Sequence, residues 1–121
     1  MRIAVIGASA DRSKFGNKAV RALLRAGHEV FPVNPHETSI EGLKCYRAIG
    51  DIPGKLDAAT LYVQPGIGES LSLSIIAKGV RLVYLNPGAE SDALVATFEK
   101  AGIEVKCECT ILAMGFSPTE F

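Results

Sequence analysis

The sequence has no excess charge of either sign: 13 basic residues meet 13 acidic ones over 121 positions. A balanced chain carries no field that would gather nucleic acid or an anionic membrane, so any cluster of cations must be local. Long apolar runs are missing too. No stretch approaches the ~18 residues that a membrane helix requires, and the chain enters its first apolar run without a charged leader or cleavage site. The expected setting is the cytoplasm. Cysteine is scarce and odd in number, with Cys45, Cys107 and Cys109, which fits a reducing compartment better than a disulfide framework. Cys107 and Cys109 would share one face of a strand, a poor geometry for a disulfide. No second Cys or His pair has ligand spacing, so no zinc site follows. Neither His28 nor His36 stands with a Ser or Cys in a readable triad, and both read as solvated side chains.

What is present is 48% apolar residues and 12 glycines, enough for a real core and many tight turns. The length suits one domain, residues 1–121. Three segments share a grammar in which a helical pattern closes on glycine and a β-branched run follows: Ala26-Gly27 before Val30–Val33, Lys78-Gly79 before Val80–Leu85, and Ala101-Gly102 before Ile103–Val105. The helical stretches are amphipathic, with Val20, Leu23 and Leu24 on one face of the first, Ile67, Leu71 and Ile75 on another, and Leu94, Val95, Phe98 and Ala101 on the last. The runs Ile3–Ile6, Val30–Val33, Ala58–Val63 and Leu82–Leu85 are nearly continuously apolar, as parallel strands buried on both faces are. Between Val33 and Ala58 the pattern is irregular, with a turn at Asp51-Ile52-Pro53-Gly54 and a short edge element within Ile40–Tyr46. The sum is an α/β chain: a Rossmann-like, doubly wound, five-stranded parallel sheet of order 3-2-1-4-5, with helices on both faces and Ala58–Val63 as the third strand. In that order the first and fourth strands flank the switch point, where ligands bind outside the strand ends. The loops Gly7–Gly16, Val33–Pro35 and Asn86-Pro87-Gly88 then converge, with Val63-Gln64-Pro65-Gly66 on the same rim.

Within Gly7–Gly16 the chain reads Gly-Ala-Ser-Ala-Asp-Arg-Ser-Lys-Phe-Gly between a strand and a helix start. Free backbone N–H groups and the positive end of a helix can hold a phosphate there. A dinucleotide fingerprint would place glycine at the third and sixth positions, which here are Ser9 and Arg12. The second strand ends in Asn34-Pro35, where an NAD site would offer a carboxylate to the ribose diol. Arg12 and Lys14 instead bring two cations into the loop, which suits a ligand with more phosphate charge than NAD.

These residues resemble a known family. Val5-Ile6-Gly7-Ala8-Ser9, Val33-Asn34-Pro35, Gly42-Leu43-Lys44-Cys45-Tyr46, Asp51-Ile52-Pro53 and Cys109-Thr110 stand in the order found in small single-domain CoA-binding proteins, which are similar to the CoA-binding domain of the succinyl-CoA synthetase α-subunit. The resemblance implies that Gly7, Ala8 and Ser9 line the nucleotide, that Arg12 and Lys14 face phosphates, and that Gly16 opens the helix whose amides meet the pyrophosphate. It places Asn34 and Pro35 near the adenosine, with Val63 and Pro65 on its far side. Asn86 and Gly88 belong to the switch-point rim. The related thioester-forming synthetases use a phosphorylated histidine on a further domain, a role that neither His28 nor His36 is placed to fill.

Each residue also has a plainer reading. Arg12 and Lys14 are solvated cations if they touch no phosphate, Asn34 caps the following turn if it touches no ligand, and Asn86-Pro87-Gly88 is a strong turn signal by itself. Cys109 is a buried apolar thiol or a thiol near the pantetheine end. The resulting expectation is a non-catalytic protein that binds CoA or acyl-CoA, with no nucleic acid or membrane partner and a protein partner left open. The alternative is an NAD(P)-dependent oxidoreductase or NAD(P)-binding sensor, in which Arg12 would meet the 2′-phosphate of NADP. Placing a carboxylate at Gly16 is expected to weaken CoA binding and leave the fold intact.

Overall fold

The computed structural model describes residues 1–121. The elements run β1 (Arg2–Ile6), α1 (Phe15–Arg25), β2 (Glu29–Val33), β3 (Ser39–Ile40), β4 (Leu43–Lys44), β5 (Ala58–Leu61), α2 (Pro65–Ala77), β6 (Leu82–Leu85), α3 (Asp92–Lys100), β7 (Glu104–Lys106) and α4 (Thr110–Ala113). Short 3-10 turns stand at Ile49–Asp51 and Pro118–Glu120. Helices α1, α2 and α3 stop as expected, each followed by a glycine in the left-handed region: Gly27 at φ 87°, Gly79 at 79° and Gly102 at 80°.

The sheet is parallel and five-stranded, ordered β2-β1-β5-β6-β7. A further single-residue parallel bridge joins Val33 to Tyr46 at the outer edge of β2. With the single-residue bridge at Tyr46 counted as the third strand, the order reads 3-2-1-4-5-6, which contains the doubly wound 3-2-1-4-5 pattern expected from the sequence. The segment expected in third place, Ala58–Val63, forms a strand only over Ala58–Leu61 and is the fourth: it lies directly against β1, and the third place is held by one residue. The switch point is flanked by β1 and β5, with the strand ending at Asn86 one place further out. The irregular stretch before it carries the edge element as an antiparallel hairpin, β3 with β4, whose Ile40 is buried.

Alternation along the strands sends side chains to two faces. Ala4, Ile6, Phe31, Val33, Ala59, Leu61, Val83 and Leu85 pack with Ile75 of α2 and with Leu94 and Phe98 of α3. Ile3, Val5, Val30, Ala58 and Tyr84 pack with Val20 and Leu23 of α1 on the other face. There α4, which no sequence pattern announced, lays Ile111 against Ala19 and Ala22. Strand β7 ends at Lys106, so Cys107 lies beyond it and Cys109 is the N-cap of α4. The two thiols thus do not share a strand face; all three cysteines are free. No helix is long and apolar enough to cross a membrane.

Candidate functional site

The loop between β1 and α1 is closed by a backbone contact. Gly7 has φ 84°, and a Cβ placed on it would stand 2.6 Å from the Tyr62 carbonyl oxygen. A Cβ on Gly16 would stand 2.3 Å from the Gly7 carbonyl oxygen. Both glycines are therefore required by the approach of one backbone to another, and the loop folds back on itself because neither carries a side chain. This overturns the expectation for Gly16: any side chain there displaces the loop before its charge matters.

The rest of the loop is held from behind. The Asn17 amide, fully buried, donates to the Ser9 carbonyl at 2.9 Å and to the Glu41 carboxylate at 3.1 Å. Arg21 donates to the Asn17 side-chain oxygen at 2.7 Å and to the Arg12 carbonyl at 2.7 Å. Asn34 donates to the Ala8 carbonyl at 2.8 Å and accepts from the His36 amide at 2.8 Å. In front, the Phe15 and Gly16 amides have no protein partner, because the first bonds of α1 run from Asn17 and Lys18 to the Lys14 carbonyl. Asp11 accepts from the Ser13 hydroxyl and amide, and these two bonds hold its carboxyl below the usual range.

Four recesses lie side by side along the carboxyl rim, neighbours sharing lining residues. The first is a largely apolar cavity of about 250 Å³ at the switch point, walled by Ile6, Gly7, Val33, Pro35, Arg47, Ala48, Ile49, Val63, Ile67, Leu71, Ser74 and Ile75. It shares Gly7 with an open recess along the loop, lined by Ser9, Ser13, Lys14, Phe15, Gly16 and Tyr62. Phe15 and Tyr62 then lead into a pocket of about 120 Å³ bounded by Asn86, Pro87 and Cys109. A last recess runs along Gln64, Pro87, Gly88 and Ala89. The Tyr62 hydroxyl lies beside the Thr60 and Thr110 hydroxyls, which bond each other at 2.8 Å, and has no partner of its own. Burial, with Cys109 alongside, pushes this phenol far above its ordinary range.

The expected residues fall into three groups. Gly7, Ser9, Lys14, Gly16, Pro35, Val63 and Gly88 line the groove. Asn86 borders it, but its polar atoms face inward: it donates to Thr60 at 2.7 Å and to the Leu61 carbonyl at 2.9 Å, and accepts from the Thr110 amide at 2.8 Å. Ala8, Arg12, Asn34 and Pro65 are not brought to it. The Ala8 side chain is buried in the core, Arg12 turns to the Glu41 carboxylate at 3.5 Å, Asn34 bonds the Ala8 carbonyl and the His36 amide, and Pro65 is the first residue of α2. Sequence reasoning missed Phe15, Arg47 and Tyr62. It also read Ile67 and Leu71 as sheet-covering residues, whereas both open onto the cavity and Ile67 is half exposed. The signal was there in Tyr62, which directly follows a buried strand at the rim.

Fold and groove together define a Rossmann-like doubly wound domain with a crevice where such folds hold nucleotides. The chain belongs to the CoA-binding domain family, which matches residues 1–115. It is 34% identical over 107 residues to the acetate–CoA ligase [ADP-forming] II subunit alpha of Pyrococcus furiosus, a match covering 88% of this chain and 22% of that one. The chain thus spans about a fifth of the length of that curated relative. Among solved structures, a conserved hypothetical protein of Pyrococcus furiosus has a TM-score of 0.82 at 35% identity, covering 93% of this chain and 97% of that one. The dinucleotide-forming acetyl-coenzyme A synthetase 1 of Ca. Korarchaeum cryptofilum, in complex with phosphate and ADP, has a TM-score of 0.77 at 32% identity, covering 88% and 25% respectively.

Proposed function

We propose that this chain binds coenzyme A, free or acylated, along the groove and holds it without transforming it. The observation that carries the reading is the succession of adjacent recesses in a member of a CoA-binding family: an apolar cavity, then partnerless amides, then a narrow pocket bounded by Cys109. The adenine takes the cavity, where Val33, Val63, Ile67 and Leu71 present the mostly apolar lining that small-molecule sites favour. The diphosphate takes the Phe15 and Gly16 amides at the start of α1, where the helix dipole favours negative charge, with Lys14 beside it. The pantetheine arm follows Tyr62 and Pro87 toward Cys109. A holding role is supported by the polar groups along this path, which form no paired nucleophile and base. His28 lies at the other end of β2, bonded to the amino terminus at 2.8 Å, and His36 lies in the turn after Asn34. Three free cysteines support a reducing, cytoplasmic setting.

Thermal melts of the full chain with CoA, acetyl-CoA, NAD, NADP and ATP test this reading. Coenzyme A at a hundredfold excess over its dissociation constant is expected to stabilise the fold by about 2.7 kcal/mol. Stabilisation by NADP and none by CoA would sink the proposal in favour of the nicotinamide alternative.

A further inference from the structure

Resting on that reading, we infer that Arg47 recognises the 3′-phosphate of coenzyme A and gives the site its preference for a phosphorylated ribose. Strand register fixes where this residue stands. Tyr46 donates to the Pro32 carbonyl and accepts from the Asn34 amide, both at 2.9 Å, and bridges Val33 in parallel. Arg47 therefore lies beside the carboxyl end of β2, the place from which a doubly wound dinucleotide site addresses the ribose. An NAD site puts a carboxylate there to accept from the diol. Here β2 is followed by Asn34, whose side chain bonds the Ala8 carbonyl and the His36 amide, and the residue after Tyr46, the bridge partner of Val33, carries a guanidinium.

Arg47 sits among the walls of the apolar cavity, next to Ala48 and with Pro35. It is exposed and makes no ion pair or side-chain hydrogen bond: the three ion pairs of the chain belong to Arg2, Arg12 and Arg25. A purine seated in that cavity leaves its ribose at the mouth. The 5′-diphosphate then runs toward the loop amides, and a phosphate on the opposite side of the sugar comes within reach of Arg47. A phosphomonoester presents the oxygens that a guanidinium fork matches, and a plain ribose diol does not. Coenzyme A carries this group at the 3′ position and NADP at the 2′ position, so the ligand series must separate the two.

The test is calorimetric titration of the full chain with CoA, 3′-dephospho-CoA, NADP and NAD at fixed ionic strength, for the wild type, Arg47→Ala and Arg47→Gln. The wild type is expected to bind CoA at least about tenfold more tightly than dephospho-CoA, and in both variants that ratio falls to near one. A ratio unchanged by either substitution, with CoA still bound, overturns the role of Arg47 and leaves the CoA reading standing. NADP bound more tightly than CoA overturns the 3′ assignment. A wild type that binds neither CoA nor dephospho-CoA overturns both readings.

Discussion

Two glycines decide the shape of the loop, and they do so against backbone rather than against ligand. Because a Cβ on Gly16 would lie 2.3 Å from the Gly7 carbonyl oxygen, Gly16→Ala must push the loop away from α1. It is expected to cost about 1–3 kcal/mol and to weaken CoA binding as well. Gly66 is the matched control: it lies in α2, where a Cβ would meet nothing within 4 Å, and Gly66→Ala is expected to be neutral or to stabilise by about 0.5 kcal/mol. Urea unfolding of the two variants checks the contrast, and equal midpoints would refute the packing argument. At this scale the sequence was legible as far as the need for small residues between positions 7 and 16. It did not disclose that the partner of Gly16 is the Gly7 carbonyl, because that contact exists only once β1 and α1 are side by side. Arg12 shows the same limit: a cation in the right loop reads as a phosphate ligand until the β3–β4 hairpin brings Glu41 alongside.

Among the elements, α4 is held by a buried polar tie in addition to the packing of Ile111 against α1. Four residues are too few for a helix to persist on propensity, and Asn86 supplies the tie by accepting from the Thr110 amide while donating to Thr60 and to the Leu61 carbonyl. Asn86→Ala leaves a buried amide and a buried carbonyl without this partner and is expected to cost about 3 kcal/mol, read from the urea midpoint. A loss below about 0.5 kcal/mol would show that water or a neighbouring group replaces it. Helices α1 to α3 and the strand runs were readable because apolar periodicity and a terminal glycine bracket each of them. Helix α4 closes on Gly115 at φ 87° but is too short to show a period, and the bridge at Tyr46 has neither signal. Tyr46 fills the third place of the sheet with one residue, and one residue has no period, which is why the next apolar run, Ala58–Leu61, took its number in the reading from sequence.

For the molecule as a whole, formal charge is balanced, so pH acts through individual groups rather than through a net field. Folding changes the proton affinity of His28. Partial burial, and then the charge of the amino terminus 2.8 Å away, lower its pKa from the ordinary 6.5. The unfolded chain therefore binds the proton more readily between the two values. Stability contributed by neutral His28 is present above pH 6.5, is lost as pH falls through that value toward the folded pKa, and changes no further below it. Urea midpoints between about pH 5 and 8 are expected to show this acid-side decline in the wild type and a smaller one in His28→Gln; parallel curves would exclude the histidine. The brace behind the loop has a kinetic and entropic sequel. Since Asn17, Arg21 and Asn34 already fasten residues 8, 9 and 12, the anion proposed for this loop would meet donors aimed in advance. Little freedom would remain there to be surrendered on association, so the proposed capture would need little rearrangement of the receptor.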